Sequence, residues 1–283
     1  MDDATDMDLF RQYAKSNTSL LQHTNMKTTF NSKRAFTLVE LLVVIAIIGI
    51  LAALLLPALG RAKFGAKVAR CVSNYRQWGI AVTFYANENK GAFPSFTVPA
   101  YLGRNPWDVS SNMIPVLKPQ SITVPMMFCP ARPGEYAAAQ NWCLQNLGHD
   151  LRTMDDLNEY FMATFGDFGL LLHSWWVPRY AGDPADDGIL FPTPTPGTGD
   201  GNGWPTKQGD PLAGVQPILT DRCEYHDANP PTIGLAQFGH PYNGTITSVN
   251  LLFGDGHVET RPHALLKWRY SGSYYGDPEY SFY

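Results

Sequence analysis

The chain has 283 residues and a net charge of -4, with 16% charged and 13% aromatic residues. This length suffices for one anchor helix and one sizeable globular domain, and the weak charge without a basic, aromatic-rich stripe argues against nucleic-acid binding. The 25 glycines and 22 prolines favour a loop-rich, β-containing domain outside the cytoplasm over a helical cytosolic enzyme.

The first 35 residues fall into two parts of different charge. The part before Met26 contains the acidic residues Asp2, Asp3, Asp6 and Asp8. The part from Met26 to Ala35 has no acidic residue and contains Lys27, Lys33 and Arg34. A short basic segment of this kind is typical of the cytoplasmic flank of a membrane helix.

An apolar run from Phe36 to Leu56 contains Thr37 and Glu40 as its only strongly polar residues. About twenty such residues in a helix cross the hydrocarbon core of a bilayer, where a helix satisfies its own backbone. A carboxylate there costs roughly 2.5–3.5 kcal/mol, so we predict a functional partner for Glu40. An ordinary anchor would leave Glu40 unexplained, and a secretory signal peptide would have a shorter apolar core.

Residues 35–42, Ala-Phe-Thr-Leu-Val-Glu-Leu-Leu, resemble the processing site of type IV prepilins and type II secretion pseudopilins. The resemblance implies that a prepilin peptidase cuts between Ala35 and Phe36 and methylates the new amine. It also implies that Glu40 pairs with the N-terminal amine of a neighbouring subunit during assembly. The residue before the cut is usually Gly in this family, so Ala35 predicts slower cleavage.

The resemblance makes residues 1–35 a leader. We expect translation to start at Met26; the alternative is that the first 25 residues are a natural part of a long leader. Basic residues flank the apolar run on both sides, so charge alone leaves the topology open. The resemblance implies a single-pass protein of the bacterial inner membrane, with its N-terminus in the cytoplasm and its C-terminal domain in the periplasm or outside the cell.

The helix is predicted to kink at Pro57 and then to continue to about Asn87. Apolar residues recur there every three to four positions, which is typical of an amphipathic helix packed on a domain. The stripe consists of Phe64, Val68, Cys71 or Val72, Tyr75, Trp78 or Gly79, Val82 and Tyr85. Gly91 is a suitable left-handed cap.

The resemblance implies an α+β, pilin-like fold: a long kinked helix (36–91), half transmembrane and half amphipathic, on a globular head (92–283) with an antiparallel β-sheet.

Prolines break the head into short extended pieces. Within it we predict a short helix over Asp155–Phe165, a strand over Val215–Thr220 and a surface loop over 192–203. Two apolar runs around Gly254-Asp255-Gly256 predict a β-hairpin. This tail also resembles a pilin-like subfamily with a His-x9-Asp-Gly motif, although the preceding His240 lies fourteen residues before Asp255 instead of nine.

The four cysteines, Cys71, Cys129, Cys143 and Cys223, form no C-x-x-C pair. Zinc-ribbon and thioredoxin motifs are therefore unsupported, whereas one or two disulfides can form in an oxidising compartment. Four cysteines allow three connectivities, and the sequence does not choose among them.

Two groups of residues are weak candidates for a metal site, and we otherwise expect no cofactor. Asp183, Asp186 and Asp187 lie close together between glycines, and clustered carboxylates suit calcium, although a solvated acidic turn is the simpler interpretation. A second group could converge near the hairpin, but scattered histidines are more often packing or surface residues. It comprises His226, His240, Asp255 and His257.

We predict no enzymatic activity, because no nucleophile elbow, P-loop, dinucleotide fingerprint or HExxH motif occurs. Several tryptophans of the head could form a glycan-binding platform or, more simply, part of a buried core. They are Trp107, Trp142, Trp175, Trp176 and Trp204.

The resemblance implies a structural subunit that assembles through its N-terminal helix into a type II secretion pseudopilus or a type IV pilus-like fibre. Its partners would be a prepilin peptidase, other pseudopilin subunits and the inner membrane, with no nucleic acid. The alternative is a membrane-tethered surface protein that binds a carbohydrate or a protein and uses a pilin-type leader for export.

Overall fold

The computed structural model describes residues 36–98, 104–110, 112–166, 168–170, 172–182, 188–195, 203–226, 237–274 and 277–283. The chain divides into two compact units, an N-terminal unit that ends at Leu56 and a C-terminal unit, Pro57–Tyr283. The division falls inside the first helix, so the two halves of that helix belong to different units.

Four α-helices lie within the described residues. They are α1 (Leu38–Glu88), α2 (Met113–Leu117), α3 (Pro133–Asn146) and α4 (Met154–Phe165). Short 3-10 helices cover Lys118–Gln120, Val124–Met127 and His263–Leu265.

The described strands are short, as the many prolines and glycines predict. They are β1 (Asp108–Ser110), β2 (Phe168–Leu170), β3 (His173–Trp175), β4 (Arg179–Ala181), β5 (Ile189–Phe191), β6 (Pro217–Asp221), β7 (Cys223–His226), β8 (Gln237–Phe238), β9 (Pro241–Tyr242), β10 (Thr245–Ile246), β11 (Ser248–Phe253), β12 (Val258–Pro262), β13 (Trp268–Tyr274) and β14 (Asp277–Phe282).

Two four-stranded antiparallel sheets organise the C-terminal unit. Their strand orders are β12-β11-β6-β3 and β13-β14-β7-β8, and three two-stranded pairs (β1-β2, β4-β5 and β9-β10) accompany them. A long apolar N-terminal helix together with antiparallel sheets confirms the predicted α+β, pilin-like fold class.

The second half of α1 packs on the C-terminal unit through the predicted stripe. Its buried residues are Cys71, Asn74, Tyr75, Trp78, Gly79, Ala81, Val82 and Ala86. Trp78 donates its indole N–H to the carbonyl of Met126 at 2.8 Å. The spacing of three and four residues keeps one helix face against the core. The stripe is confirmed from Cys71 to Val82, whereas Phe64, Val68 and Tyr85 are only partly buried and Ala86 is the last buried residue.

The helix α1 ends as the sequence predicts. The N–H of Gly91 donates to the carbonyl of Ala86 at 2.7 Å, and Gly91 has a φ of +84°. This left-handed conformation favours glycine and lets the chain leave the helix with its last carbonyls partly satisfied.

The strand β11 lies inside its sheet between β12 and β6, and all six of its residues are buried. Because side chains alternate across a strand, the two faces serve different clusters. Leu252 packs in the cluster that contains Trp78 and Val82. The odd-numbered residues Val249, Leu251 and Phe253 pack in the cluster around Trp176.

The predictions for single elements had mixed outcomes. The helix over Asp155–Phe165 is confirmed as α4, and the strand over Val215–Thr220 is confirmed as β6 with a start two residues later. The helix α3 was missed, although Pro133 in its first turn and three alanines at 137–139 favour a helix. The many prolines on either side of α3 obscured that signal.

The five tryptophans considered for a glycan platform lie in or against the cores of the head. Trp107, Trp175, Trp176 and Trp204 are buried, and Trp142 is partly buried against Tyr160. Trp176 stacks on Trp204 with ring centroids 4.9 Å apart. The buried interpretation is therefore confirmed for these four, and a glycan platform built from them is wrong.

Candidate functional site

The N-terminal end of α1 is closed by a reciprocal pair of hydrogen bonds between Thr37 and Glu40. The backbone N–H of Glu40 donates to the Thr37 hydroxyl oxygen at 3.1 Å, and the backbone N–H of Thr37 donates to Oε2 of Glu40 at 2.8 Å. The Thr37 hydroxyl also donates to Oε2 at 2.8 Å. This is a capping box, in which two side chains satisfy two backbone N–H groups that the helix leaves free.

The two oxygens of the Glu40 carboxylate have different surroundings. Both hydrogen bonds from Thr37 end on Oε2, and Oε1 accepts none from the described residues. The whole side chain is exposed. Glu40 can therefore keep its helix cap and still offer one oxygen to a cation outside the chain.

Among the described residues, α1 is the helix that is long and apolar enough to cross a membrane. Nearly every side chain from Phe36 to Leu56 is exposed, with Phe36 at 66% and Leu54 at 72%. Such a continuous apolar surface is stable in lipid or against other apolar helices, not in water. The chain is therefore membrane-anchored through this segment.

A second site lies inside the C-terminal unit, where Asp221 at the end of β6 is fully buried. Its Oδ2 atom accepts the backbone N–H of Asn250 at 2.7 Å and lies 2.9 Å from Nε2 of His240. Its Oδ1 atom lies 3.7 Å from Nδ1 of His173. The other ring nitrogen of His240 is 3.0 Å from the Ser248 hydroxyl.

Arg132 adds a positively charged guanidinium to this cluster. Its guanidinium donates to Glu135 Oε1 at 2.8 Å, to the carbonyl of Gly239 at 2.9 Å and to the carbonyl of Leu172 at 2.7 Å. Its Nη1 atom lies 4.0 Å from Oδ1 of Asp221. Two carboxylates and two cations thus form a compact group in which each buried charge has a partner of opposite sign.

Burial and the negative charge of Asp221 determine the pKa values of the two histidines in the cluster. Burial alone would lower the pKa of His240, but the charge of Asp221 and the hydrogen bond to it raise that pKa to about 10. Burial lowers the pKa of His173 to about 4, against a weaker opposing effect of Asp221. Hence His240 is an imidazolium at neutral pH, whereas His173 is neutral and shares a hydrogen bond of 3.1 Å with the Tyr75 hydroxyl.

This buried cluster connects α1 to the sheet. Tyr75 lies on α1, His173 on β3, Asp221 on β6, and Arg132 immediately before α3. These groups are fully or almost fully buried, so no substrate-sized molecule reaches them in this conformation. Their arrangement fixes the position of α1 against the sheet.

The Gly254-Asp255-Gly256 segment forms the turn between the antiparallel strands β11 and β12. Asp255 accepts at Oδ1 from the backbone N–H of His257 at 3.1 Å and lies 2.6 Å from that residue's Nδ1. Both side chains are about half exposed. His240 instead lies in the buried cluster, and no group of three potential metal ligands among the described residues contains His257 or Asp255.

Several predicted site residues lie outside the described part of the chain. These are Ala35 and the rest of the leader, the acidic group Asp183, Asp186 and Asp187, and most of the 192–203 loop. The side chain of His226 is also outside it.

Sequence analysis singled out Glu40 but missed its capping box and the whole buried cluster, and the sequence contained a signal for the first of these. Thr37 and Glu40 have the Thr-x-x-Glu spacing of a capping box, which can be recognised directly. The Arg132–Asp221–His240 cluster has no such signal, since its members are far apart in sequence and share no periodicity.

Comparison with known proteins addresses the N-terminal segment. Residues 30–56 match the family model described as the prokaryotic N-terminal methylation motif. This range includes the predicted cleavage junction, the Thr37–Glu40 capping box and the apolar half of α1. Neither the curated proteins nor the solved structures give a match to this chain.

Proposed function

We propose that this chain, a prepilin-type protein by its N-terminal methylation motif, is a structural subunit of a type II secretion pseudopilus or a type IV pilus-like fibre. A prepilin peptidase cuts between Ala35 and Phe36 and methylates the new amine. The apolar half of α1 then stores the subunit in the bacterial inner membrane, with the head outside the cytoplasm. Other pilin-type subunits are its partners, and polymerisation rather than catalysis is its task.

The observation that carries this proposal is the asymmetry of the Glu40 carboxylate. Thr37 occupies Oε2, and Oε1 has no partner among the described residues. A neighbouring subunit's N-terminal ammonium is a suitable partner for Oε1, because in a low-dielectric bilayer both charges are unfavourable alone. The cap need not open for this pairing, so a subunit in the membrane is already prepared for assembly.

The exposed surface of the same helix supports the proposal. From Leu38 to Leu56 the side chains are leucine, isoleucine, valine and alanine, apart from Glu40 and Gly49. In lipid this surface is solvated, and in a fibre it packs against the same surface of other subunits. One helix thus serves as both the membrane anchor and the contact between subunits.

The test compares two substitutions of Glu40. Glu40→Gln keeps an oxygen that accepts from Thr37 and removes the charge, whereas Glu40→Leu removes both. We expect both variants to be cleaved and to remain in the membrane, since removal of a carboxylate makes insertion easier. We also expect both to lose self-crosslinking along α1 and the yield of sheared fibres, measured with the assembly machinery co-expressed.

Normal fibres from Glu40→Gln would show that the charge is not needed and would contradict the proposed pairing.

The alternative function, a membrane-tethered binding protein, makes a different prediction. Such a protein would stay monomeric as the wild type, crosslink to its ligand through the head, and be indifferent to either substitution.

A calcium site at Asp183, Asp186 and Asp187 is a separate proposal that rests on the sequence alone. Calcium binds clusters of carboxylate oxygens, and a bound ion stabilises the state that binds it. Calcium should therefore raise the Tm of the wild-type chain above its value in a chelator, and Asp186→Asn should remove most of this difference. Equal Tm values with calcium and with chelator would contradict a site there.

A further inference from the structure

The two cysteines Cys71 and Cys129 lie in contact between α1 and the rest of the C-terminal unit. Their sulfur atoms are 2.9 Å apart, and each residue is 1% exposed. Together with Ala131 and the partly buried Phe64 they form a small apolar cluster of their own. The separation of 58 residues in the chain makes this a contact between distant segments.

Two hydrogen bonds hold the same segments together independently of the sulfurs. Asn74, one turn after Cys71, donates its side-chain N–H to the carbonyl of Pro125 at 2.8 Å. Trp78, a further turn on, donates to the carbonyl of Met126, also at 2.8 Å. The backbone positions of α1 and of the segment that leads to Cys129 are therefore fixed by neighbours that have no part in sulfur chemistry.

We propose that Cys71 and Cys129 form a disulfide bond that joins the amphipathic half of α1 to the head. A disulfide bond is about 2.05 Å long, so the two sulfurs need to approach by less than about 1 Å. Cys143 and Cys223 are buried in two other clusters, around Leu157 and around Trp176. All four cysteines lie in the described part of the chain, and Cys71–Cys129 is the one sulfur–sulfur contact among them.

A metal ion is the competing occupant, because Cys71, Cys129 and His240 could together supply three ligands. Two thiolates on one tetrahedral zinc lie about 3.8 Å apart, given zinc–sulfur bonds of about 2.3 Å. The observed separation is almost 1 Å shorter. Both ring nitrogens of His240 are already engaged, Nε2 with Asp221 and Nδ1 with Ser248, so the histidine has no free lone pair to offer. The geometry favours the disulfide.

The oxidation needs an acceptor, and a disulfide donor of the extracytoplasmic compartment supplies it. One cysteine thiolate attacks a donor sulfur to form a mixed disulfide, and the other displaces the donor, which leaves as a dithiol with the two electrons and two protons. This step rests on the proposed function, since export places the head in an oxidising compartment. The hydrogen bond to Cys71 and burial raise the pKa of the Cys129 thiol well above its usual range, so attack takes place before α1 and the head have fully packed.

The first experiment locates the bond in the full chain extracted from membranes of cells with an active prepilin peptidase. Free thiols are alkylated in denaturant without reductant, and the chain is digested and analysed by mass spectrometry. We expect alkyl groups on Cys143 and Cys223 and a linked peptide pair that contains Cys71 and Cys129. Alkylation of all four cysteines, a different pairing, or a native mass with one zinc ion that a chelator releases would each overturn the proposal.

The same spectra keep this proposal separate from the proposed function. Peptides that begin at an N-methylated Phe36 show processing, whatever the state of the cysteines. Four free thiols in a processed chain would overturn the disulfide and leave the pseudopilin proposal intact. A leader that remains uncleaved would instead contradict the proposed function.

A second experiment compares thermal unfolding with and without reductant. Reduction under denaturing conditions followed by refolding in reductant should lower the Tm of the wild type by roughly 5–15 °C. The variants Cys71→Ala, Cys129→Ala and the double variant should be insensitive to reductant and similar to one another. Cys143→Ala and Cys223→Ala are matched controls that should keep the full response, and a wild type that ignores reductant would overturn the proposal.

Discussion

At Gly256 the backbone conformation, and not the surrounding atoms, limits which residues can replace the glycine. It has a φ of +92°, and a Cβ built on it would meet no atom within 4 Å. Space is therefore available for a side chain, but the left-handed conformation disfavours any branched residue.

Gly256→Val should lower the free energy of unfolding of the head by about 1–3 kcal/mol through backbone strain alone. Gly256→Asn should cost much less, because asparagine tolerates this conformation. Thermal unfolding of the two variants measures the difference. Equal losses for Val and Asn would show that the turn does not depend on the left-handed conformation.

The ion pair of His240 predicts a specific pH dependence. The pKa of His240 is about 10 in the folded chain, compared with about 6.5 for an unfolded histidine. Between these values the folded state keeps a proton that the unfolded state has lost, so stability falls as the pH rises. The loss approaches about 1.4 kcal/mol per pH unit and should lower the Tm by several degrees between pH 6.5 and 8.5.

His240→Gln should remove this slope, and His257→Gln at the exposed hairpin should leave it unchanged. Because the loss of a buried cation can prevent folding, NMR of the wild type gives a second measurement. The resonances of the buried His240 imidazole should not titrate below pH 8.5. A buried imidazole that titrates near 6.5 would contradict the ion pair.

At the scale of elements, α1 and the β11–β12 hairpin approach each other through Gly79. A Cβ on Gly79 would lie 3.0 Å from Cδ1 of Leu252, 3.7 Å from the carbonyl oxygen of Gly256 and 3.8 Å from its Cα. A glycine inside a helix normally lowers helix stability, so its presence here reflects the close contact.

Gly79→Leu should therefore overpack this contact and reduce stability by about 1–3 kcal/mol. Gly65→Leu is the matched control, since Gly65 lies in the same helix, is exposed, and has no atom within 4 Å of an added Cβ. It should be neutral or slightly stabilising. Similar Tm values for the two variants would mean that α1 and the hairpin do not pack as closely as described.

The elements also show what sequence can and cannot predict. The apolar run and the amphipathic stripe of α1 are periodic, local signals, and both are visible in the sequence. The hairpin turn is local too. The burial of Asp221 and Arg132 is not, because each depends on residues that are brought close only by folding. Asp221 accepts from Asn250, 29 positions away, and Arg132 donates to Gly239, 107 positions away.

At the scale of the whole molecule, the compact C-terminal unit begins at Pro57 and therefore includes the second half of α1. The reason is that α1 contributes core residues to it. Tyr75, Trp78 and Val82 are completely buried in the main cluster of this unit. Without them the sheet β12-β11-β6-β3 would expose an apolar face.

Removal of Tyr75, Trp78 and Val82 should prevent the C-terminal unit from folding into a stable domain. A fragment of residues 57–283 should be soluble without detergent and should unfold cooperatively. A fragment of residues 92–283 should aggregate or lack a cooperative transition, because three large side chains that fill the core are missing. Circular dichroism and size-exclusion chromatography compare the two fragments. A well-folded 92–283 fragment would contradict this division of the chain.

If the chain assembles as proposed, the capping box at Thr37 and Glu40 affects how a subunit could leave the fibre. Because the cap uses only Oε2 of Glu40, a subunit could gain or lose a partner at Oε1 without any change of secondary structure at this end of α1. Addition and removal of a subunit would then differ only in whether contacts between subunits form or break. A subunit released from the proposed fibre would therefore keep the start of its helix intact and could be used again.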